Sequence, residues 1–418
     1  MKTQVSFALI GISFACTNVL CAPAQLQPEG LLSTEIVTPL LAADPAVAAV
    51  RSDLAVAEQE AKLIQASPYE WNVSATQQRR RVNEGVGTPS RFSEWSAGIE
   101  RTLRLPNKRA ADFDIADAGF ALAQANYQQA LRATKLQLLT LWLNALSSQQ
   151  AHELAALALS SMQQSVDVVT KRLAAGDASQ LELKLASAEL AEQRRLENAA
   201  KTQAQLSAGE LAVRFPGLKL QAVSLAEPKA IETDLEFWRT QIIAESGALK
   251  AATAELLRAQ AQADRARADR IPDPTLGVFR GSESDGGERI TGITISIPIP
   301  GGARATQSAK AIAARERAQQ ALALRTRELD VEISGNFRRA KGAQKNAALS
   351  RESAKLMAEA AALTQRAFAL GEADLPLLLL AQRQANLAAS AALAARAEAL
   401  NAYYQLLLDA NMIWADPR

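Results

Sequence analysis

Apolar and polar positions along the chain follow two periods, a strand-like one and a helical one, and the two succeed each other twice in the same order. Residues 45–66 are rich in Ala and Leu and predict a helix. In YEWNVSA (69–75), Tyr69, Trp71, Val73 and Ala75 alternate with Glu70, Asn72 and Ser74. Strict alternation over that length predicts a strand with one apolar and one polar face. The polar QQRRRVNEGVGTPS (77–90) reads as a linker. EWSAGIERTLRL (94–105) then reads as a second strand, with Trp95, Ala97, Ile99, Leu103 and Leu105 on one face and Arg101 the exception. In the second half, residues 274–281 predict a weaker strand and SESDGGE (282–288) a loop. ITGITISIPIP (290–300) has the clearest alternation, setting Ile293, Ile295, Ile297 and Ile299 against Thr294, Ser296 and Pro298.

Both second strands run to a proline, Pro106 and Pro300, and a helical pattern starts within a few residues. Proline cannot donate to a ladder, so it closes a strand and presets φ for a helix start. The helices that follow are predicted over 107–175 and 304–370, without an internal proline. At 1.5 Å per residue, about 67 residues of helix extend roughly 100 Å. Patterns of that length belong to coiled coils or helical tubes.

Each rod ends in the same small turn, within KRLAAGDASQLELKLASAEL (171–190) and RAFALGEADLPLLLLAQRQA (366–385). Gly176 and Gly371 suit the left-handed position just past a helix end, with Lys171, Arg172 and Arg366 favourably placed in the last turn. Ser179 and Glu182 have the spacing of a capping box that opens a return helix. Asp374 is the corresponding N-cap, and Pro376 is tolerated in the first turn. Each turn predicts a tight helical hairpin at the far end of a rod.

The two glycines are 195 positions apart, and the same offset sets Arg109 on Arg304, Arg132 on Arg327, Trp142 on Phe337 and Ala186 on Ala381. Leu105-Pro106 meets Ile299-Pro300 with one residue of slippage. Ala/Leu-rich helices always look alike, but that likeness does not keep Pro-bounded strands and Gly turns in order. A duplicated chain is expected, with repeats over 25–215 and 216–418.

Composition narrows the chemistry. The 418 residues carry a net charge of +2, so no basic field calls for nucleic acid. Only 5% of residues are aromatic within a hydrophobic content of 48%, a mix suited to long, thin helices. His152 is the single histidine, and cysteine occurs only at Cys16 and Cys21. No Ser-His-Asp, Cys-His or histidine-based metal constellation can be built, so neither an enzyme nor a metal or cofactor site is expected. Lys2, the apolar run 5–15 and Ala22-Pro23-Ala24 form a signal peptide over 1–24 with cleavage after Ala24. An acylated Cys16 or Cys21 is the competing start, although the residues before each are poor leaders for that processing. No later run of 18 apolar residues predicts a membrane helix.

Four strands with an apolar face cannot close a membrane barrel alone, since bacterial barrels have at least eight. Two chains would supply eight strands and three chains twelve. Tyr69, Trp71, Phe92, Trp95 and Phe279 cluster near the strands as candidate interfacial girdles. A small soluble β-layer packed on helices is the alternative.

The strand pairs leading to Pro106 and Pro300, with hairpin tips at Gly176 and Gly371, resemble the TolC-type outer-membrane efflux proteins over essentially the whole mature chain. The Ala-rich helices and the IPIPGG segment are most similar to the branch serving nickel–cobalt and cobalt–zinc–cadmium resistance. The resemblance implies a mainly α protein with a small β part. It further implies a homotrimer, with a twelve-stranded barrel in the outer membrane and a helical barrel through the periplasm. Such a channel is the exit duct of a tripartite pump, partnered by a periplasmic adaptor and a proton-driven inner-membrane resistance-nodulation-division (RND) transporter. The adaptor-contacting tips would fall on Lys171, Arg172, Gly176, Asp177, Ser179, Arg366, Gly371, Glu372 and Asp374.

Relatives with acidic rings at the entrance place them a few positions into the last helix, where this chain has Leu377 and Leu380. Asp177, Glu182, Glu372 and Asp374 remain as nearby acids that either cap helices or concentrate cations. His152 reads as a surface or packing residue, which leaves choice of metal to the transporter. The open alternatives are drug efflux or type I protein secretion through the same channel, and, in a different class, a periplasmic coiled-coil adaptor.

Overall fold

A computed structural model describes residues 29–83, 89–219 and 224–415. The predicted signal peptide, with Cys16 and Cys21, lies outside the described residues. The first half runs α1 (Thr34–Ala43), α2 (Pro45–Gln65), β1 (Asn72–Val82), β2 (Ser90–Thr102), α3 (Pro106–Ala174) and α4 (Gln180–Arg214). The second half follows the same order: α5 (Leu235–Glu245), α6 (Gly247–Ala268), β3 (Thr275–Glu283), β4 (Glu288–Ser296), α7 (Gly302–Ala369) and α8 (Leu375–Asp409). The fold is mostly helical with one small sheet, as expected.

Each half thus opens on a broken helix pair, which the sequence reading passed over apart from α2. The breaks are made by N-caps: the Asp44 carboxylate accepts from the amides of Ala46 and Val47, and the Ser246 hydroxyl accepts from Leu249. Burial pushes the Asp44 carboxyl up, but hydrogen bonds from Arg214 and these amides outweigh it and hold the group below its usual value.

The long helices begin and end within two residues of expectation, and α3 spans 69 residues. The strand bounds need correction. β1 runs to Val82, so QQRRRV is strand rather than linker, and it starts only at Asn72. SESDGGE splits among the end of β3, a 3-10 turn at Ser284–Gly286 and the start of β4. β2 and β4 end at Thr102 and Ser296, four residues before their prolines. Pro106 is the first residue of α3, whereas Pro300 precedes the Gly301 N-cap of α7, so the two junctions are not equivalent. β1 and β2 are held by their pairing to each other, which local composition does not reveal.

The sheet is antiparallel in the order β1-β2-β3-β4, so the halves join through β2 and β3. Register puts Val73, Ile99, Val278 and Ile293 in one row and on one face. The edges β1 and β4 have no further partner strand among the described residues.

Among the helices, α3 packs on α2, α4 and α6, and α7 packs on α6 and α8. The main core gathers Leu138, Leu139, Trp142, Leu211, Phe215, Trp238, Phe337, Leu400 and Trp414 at mid-length of the rods. Trp142 and Phe337, matched by the repeat offset, share this core. The indoles of Trp142 and Trp414 donate to the carbonyls of Gly30 and Leu32, which ties the N-terminal segment to the bundle. Elsewhere, alanines at 343, 347, 395 and 399 let α7 and α8 approach closely.

Candidate functional site

Three places along the subunit are built for a job: the two helical tips, the strand-to-helix junction and the sheet.

Both tips use one C-terminal motif. Asp177 N donates to Arg172 O at 2.8 Å and Gly176 N to Leu173 O at 3.0 Å. Glu372 N donates to Ala367 O at 2.8 Å and Gly371 N to Phe368 O at 3.1 Å. This double closure requires the left-handed conformation, and Gly176 and Gly371 have φ of +80° and +77°. The return helices are capped as expected. Ser179 and Glu182 exchange hydrogen bonds of 2.6 and 3.1 Å, and the Asp374 carboxylate accepts from Leu377 N at 3.1 Å. The Ser179 amide and hydroxyl hold the Glu182 carboxyl below its usual value.

The two hairpins are packed together. Met162, Val169, Ala186, Leu190, Phe368, Leu375, Leu378 and Leu379 form a second core at this end. Arg172 bonds to Asp177 at 2.9 Å and lies 5.0 Å from the centre of the Phe368 ring, so it links one tip to the other. Deeper in, Arg383 of α8 pairs with the buried Glu189 of α4, which also accepts from Gln193. Sequence reasoning missed this pair, since nothing in either helix marks a partner 194 residues away. Lys171, Arg366 and Glu372 are exposed, and their side chains have no partner among the described residues. Leu370, Leu377 and Leu380 also stand exposed around the tips.

The junction was expected only as Pro106 and Pro300. It is in fact a buried charge cluster from both halves. Lys108, 1% exposed, places Nζ 3.0 Å from Asp273 and 3.2 Å from Asp269. Asp273 also accepts from the Tyr69 hydroxyl at 2.7 Å and Leu105 N at 3.0 Å. Asp112 takes Arg104 at 2.9 Å and Arg265 at 2.7 Å, while Arg104 donates to the last carbonyls of α2. Burial pushes Asp273 up, yet the Tyr69, Leu105 and Lys108 hydrogen bonds prevail and hold its carboxyl low.

The sheet divides its chemistry by face. Trp71, Val73, Trp95, Ile99, Leu276, Val278, Ile293 and Ile295 are all exposed on one face. The opposite face carries Asn72, Ser74, Thr76, Gln78, Glu94, Ser96, Thr294 and glycines. Of the five aromatics expected in girdles, only Trp71 and Trp95 share the apolar face. Tyr69 turns its hydroxyl onto Asp273, and register sends Phe92 and Phe279 to the polar face. Phe279 lies over Gly292, where a Cβ would come within 2.6 Å of its ring.

No helix among the described residues is long and apolar enough to cross a membrane, and no group of three or more His, Cys, Asp or Glu among them could hold a metal. His152 bonds Glu197 at 2.9 Å, joining α3 to α4.

The outer membrane efflux protein profile matches residues 37–213 and 238–408. The chain belongs to the outer membrane efflux protein family. Its members are outer-membrane channels, not enzymes or adaptors. Among solved structures, the Campylobacter jejuni CmeC outer membrane channel superposes with a TM-score of 0.73 at 14% identity, covering 99% of this chain and 94% of that one. VceC from Vibrio cholerae gives 0.72 at 16% identity, covering 90% and 95%. The open state of the Neisseria gonorrhoeae MtrE channel gives 0.70 at 16% identity, covering 92% and 90%. Among curated proteins, no sequence match reaches significance. A β-barrel in lipid alternates apolar-out and polar-in, the same division that this sheet shows between its two faces.

Proposed function

We propose that this chain is the exit duct of a tripartite, proton-driven RND pump that exports divalent metal cations, nickel or cobalt among them. Three copies supply twelve strands. The unpaired edges β1 and β4 and the exposed Val213, Val331, Leu324 and Leu349 along the helices fit subunit interfaces. The rods cross the periplasm, and their tips at 176–179 and 371–374 meet the adaptor. The exposed leucines around those turns supply apolar contact and Lys171 and Arg366 supply charge.

The observation that supports a cationic cargo is the charge on the polar face of the sheet, which in this reading lines the lumen. All four strand carboxylates, Glu94, Glu100, Glu283 and Glu288, share that face with one arginine, Arg80, which pairs with Glu94 at 2.9 Å. Four acids against one base leave three net negative charges per chain on the pore wall, which favours cations by focusing the field. Without a ligand cluster the wall passes metal without retaining it, and selection falls to the transporter. The IPIPGG segment and Ala-rich helices support the metal branch by their likeness to it.

Two measurements test this. A deletion strain should become sensitive to nickel or cobalt and not to a panel of drugs; the reverse pattern overturns the metal assignment. In planar bilayers the protein should conduct cations preferentially, and Glu100→Gln with Glu283→Gln should reduce that preference at least about twofold. At the mouth, Glu372→Gln with Asp374→Asn keeps the cap, and an unchanged selectivity removes these acids as a filter.

A further inference from the structure

The outward face of the sheet carries six arginines, five of them on the hairpin side of the Val73–Ile99–Val278–Ile293 row. Arg79 and Arg81 of β1, Arg91 of β2, Arg280 of β3 and Arg289 of β4 share parity with Val73, Ile99, Val278 and Ile293, so they stand on the lipid-facing side. All five are exposed. None has an ion pair or hydrogen-bonding partner among the described residues. By contrast Arg80, one position along and on the lumen face, is bound to Glu94 and lies 5.7 Å from the Phe92 ring centre. No strand carboxylate shares the outward face, since all four line the lumen. Charge of opposite sign is thus segregated across a single layer of backbone.

Height along the strand explains where these arginines end up. On β2, Arg101 and Arg91 bracket Ile99, Ala97 and Trp95. Ten residues at about 3.4 Å, tilted by about 40°, rise about 26 Å, close to the roughly 25 Å apolar band of a membrane barrel. Arg101 marks the helix end of that band and is satisfied: it donates to Tyr69 O at 3.2 Å and lies 5.3 Å from the Trp71 ring. Arg79, Arg81 and Arg91 mark the hairpin end, beyond the Trp95 row, while Arg289 stands level with Trp95 and Arg280 level with Ala97. With the helices in the periplasm, that end faces the cell exterior. An arginine at the boundary can extend its stem along the apolar surface and its guanidinium into the headgroup layer. Guanidinium forks bind phosphate in bidentate fashion, and five per chain without a protein acceptor leave that capacity unused.

We propose that this arginine belt binds the phosphate groups of phosphorylated lipids in the outer leaflet and fixes the barrel's depth and stability in the membrane. The proposal rests on the outer-membrane channel reading, and its test is arranged so that the two can fail separately. The full-length protein is reconstituted in phosphatidylcholine nanodiscs containing either bis-phosphorylated lipid A or the same lipid A after dephosphorylation. Retained lipid is counted by native mass spectrometry, and the thermal midpoint of the assembly is recorded.

The wild type should retain the phosphorylated form at least about tenfold over the dephosphorylated one and melt higher in its presence. Replacing all five arginines by glutamine should abolish both effects. A milder Arg79→Gln, Arg81→Gln, Arg91→Gln variant should weaken them if the full replacement does not assemble. Arg80→Gln, on the lumen face, should retain lipid like the wild type. Equal retention of the two lipids by the wild type, or wild-type retention by the arginine variants, overturns the proposal. Inorganic phosphate that competes the lipid away at millimolar concentration also overturns it, because it shows a free-anion site rather than a membrane one. Conductance in phosphatidylcholine bilayers needs no lipid A, so a conducting protein without phosphate preference sinks the belt alone. A wild type that never conducts sinks the channel reading beneath it.

Discussion

Lys108→Met should loosen the seam between sheet and helical rods more than any single change on the exposed surface. The lysine is 1% exposed, and Asp273 opposite it has a side chain 4% exposed, so their pairing at 3.0 Å is shielded from water. Methionine fills the same volume and removes only the charge. Removing one partner of a buried pair leaves the other charge uncompensated, at a cost of about 3–5 kcal/mol. Asp273 keeps the Tyr69 hydroxyl and the Leu105 amide, and the second partner Asp269 is 41% exposed, so the lower end, about 3 kcal/mol per chain, is expected.

The assay is unfolding of the detergent-purified protein by denaturant, with protease cutting near the junction as a local probe. Lys108→Met combined with Asp273→Asn should recover at least about 1.5 kcal/mol relative to the sum of the single changes. The same aspartate sets a pH window. Its folded value lies below the ordinary 3.8, so its contribution is complete above that value and is lost as pH falls through the lower folded one. Strict additivity, or a single variant within about 0.5 kcal/mol of wild type, would refute the reasoning.

The tips give further expectations. Gly176→Ala or Gly371→Ala forces a Cβ into φ near +80° and should destabilise its hairpin by about 1 kcal/mol, read as faster hydrogen exchange in the turn and weaker adaptor binding. Ser179→Ala removes the capping hydroxyl and should cost about 1 kcal/mol locally, with exchange rising in the first turn of α4. Because the folded Glu182 carboxyl is held below its ordinary 4.5, the capping box should be fully formed above that pH and open as pH falls through the lower value, seen in the same exchange signal. Arg383→Ala leaves Glu189 buried without its cation, so the two hairpins should separate more readily and single channels should open more often. An unchanged open probability would mean the pair only supports packing.

The likeness of this chain to an efflux duct was legible because the features that carry it are periodic or local. Long helices without proline, left-handed glycines past their ends and N-caps are decided by neighbours a few residues away, and so α3, α7 and both hairpins fell within two residues of expectation. The sheet was only half legible. Alternation marked Val73, Ile99 and Ile293, but QQRRRV passed for a linker because its strand state comes from pairing with β2 and not from its composition. Register, which is a relation between distant segments, sent Phe92 and Phe279 to the polar face and put Arg79, Arg81, Arg91, Arg280 and Arg289 on the apolar one.

The buried pairs were hidden for the same reason. Lys108 meets Asp273 across 165 positions and Arg383 meets Glu189 across 194, and no local signal encodes either. Sequence alone therefore determined the rods, the turns and the duplicated order, where the physics is short-ranged. Tertiary structure decided which faces, charges and halves meet, because burial and electrostatics act between groups that only the folded chain brings together.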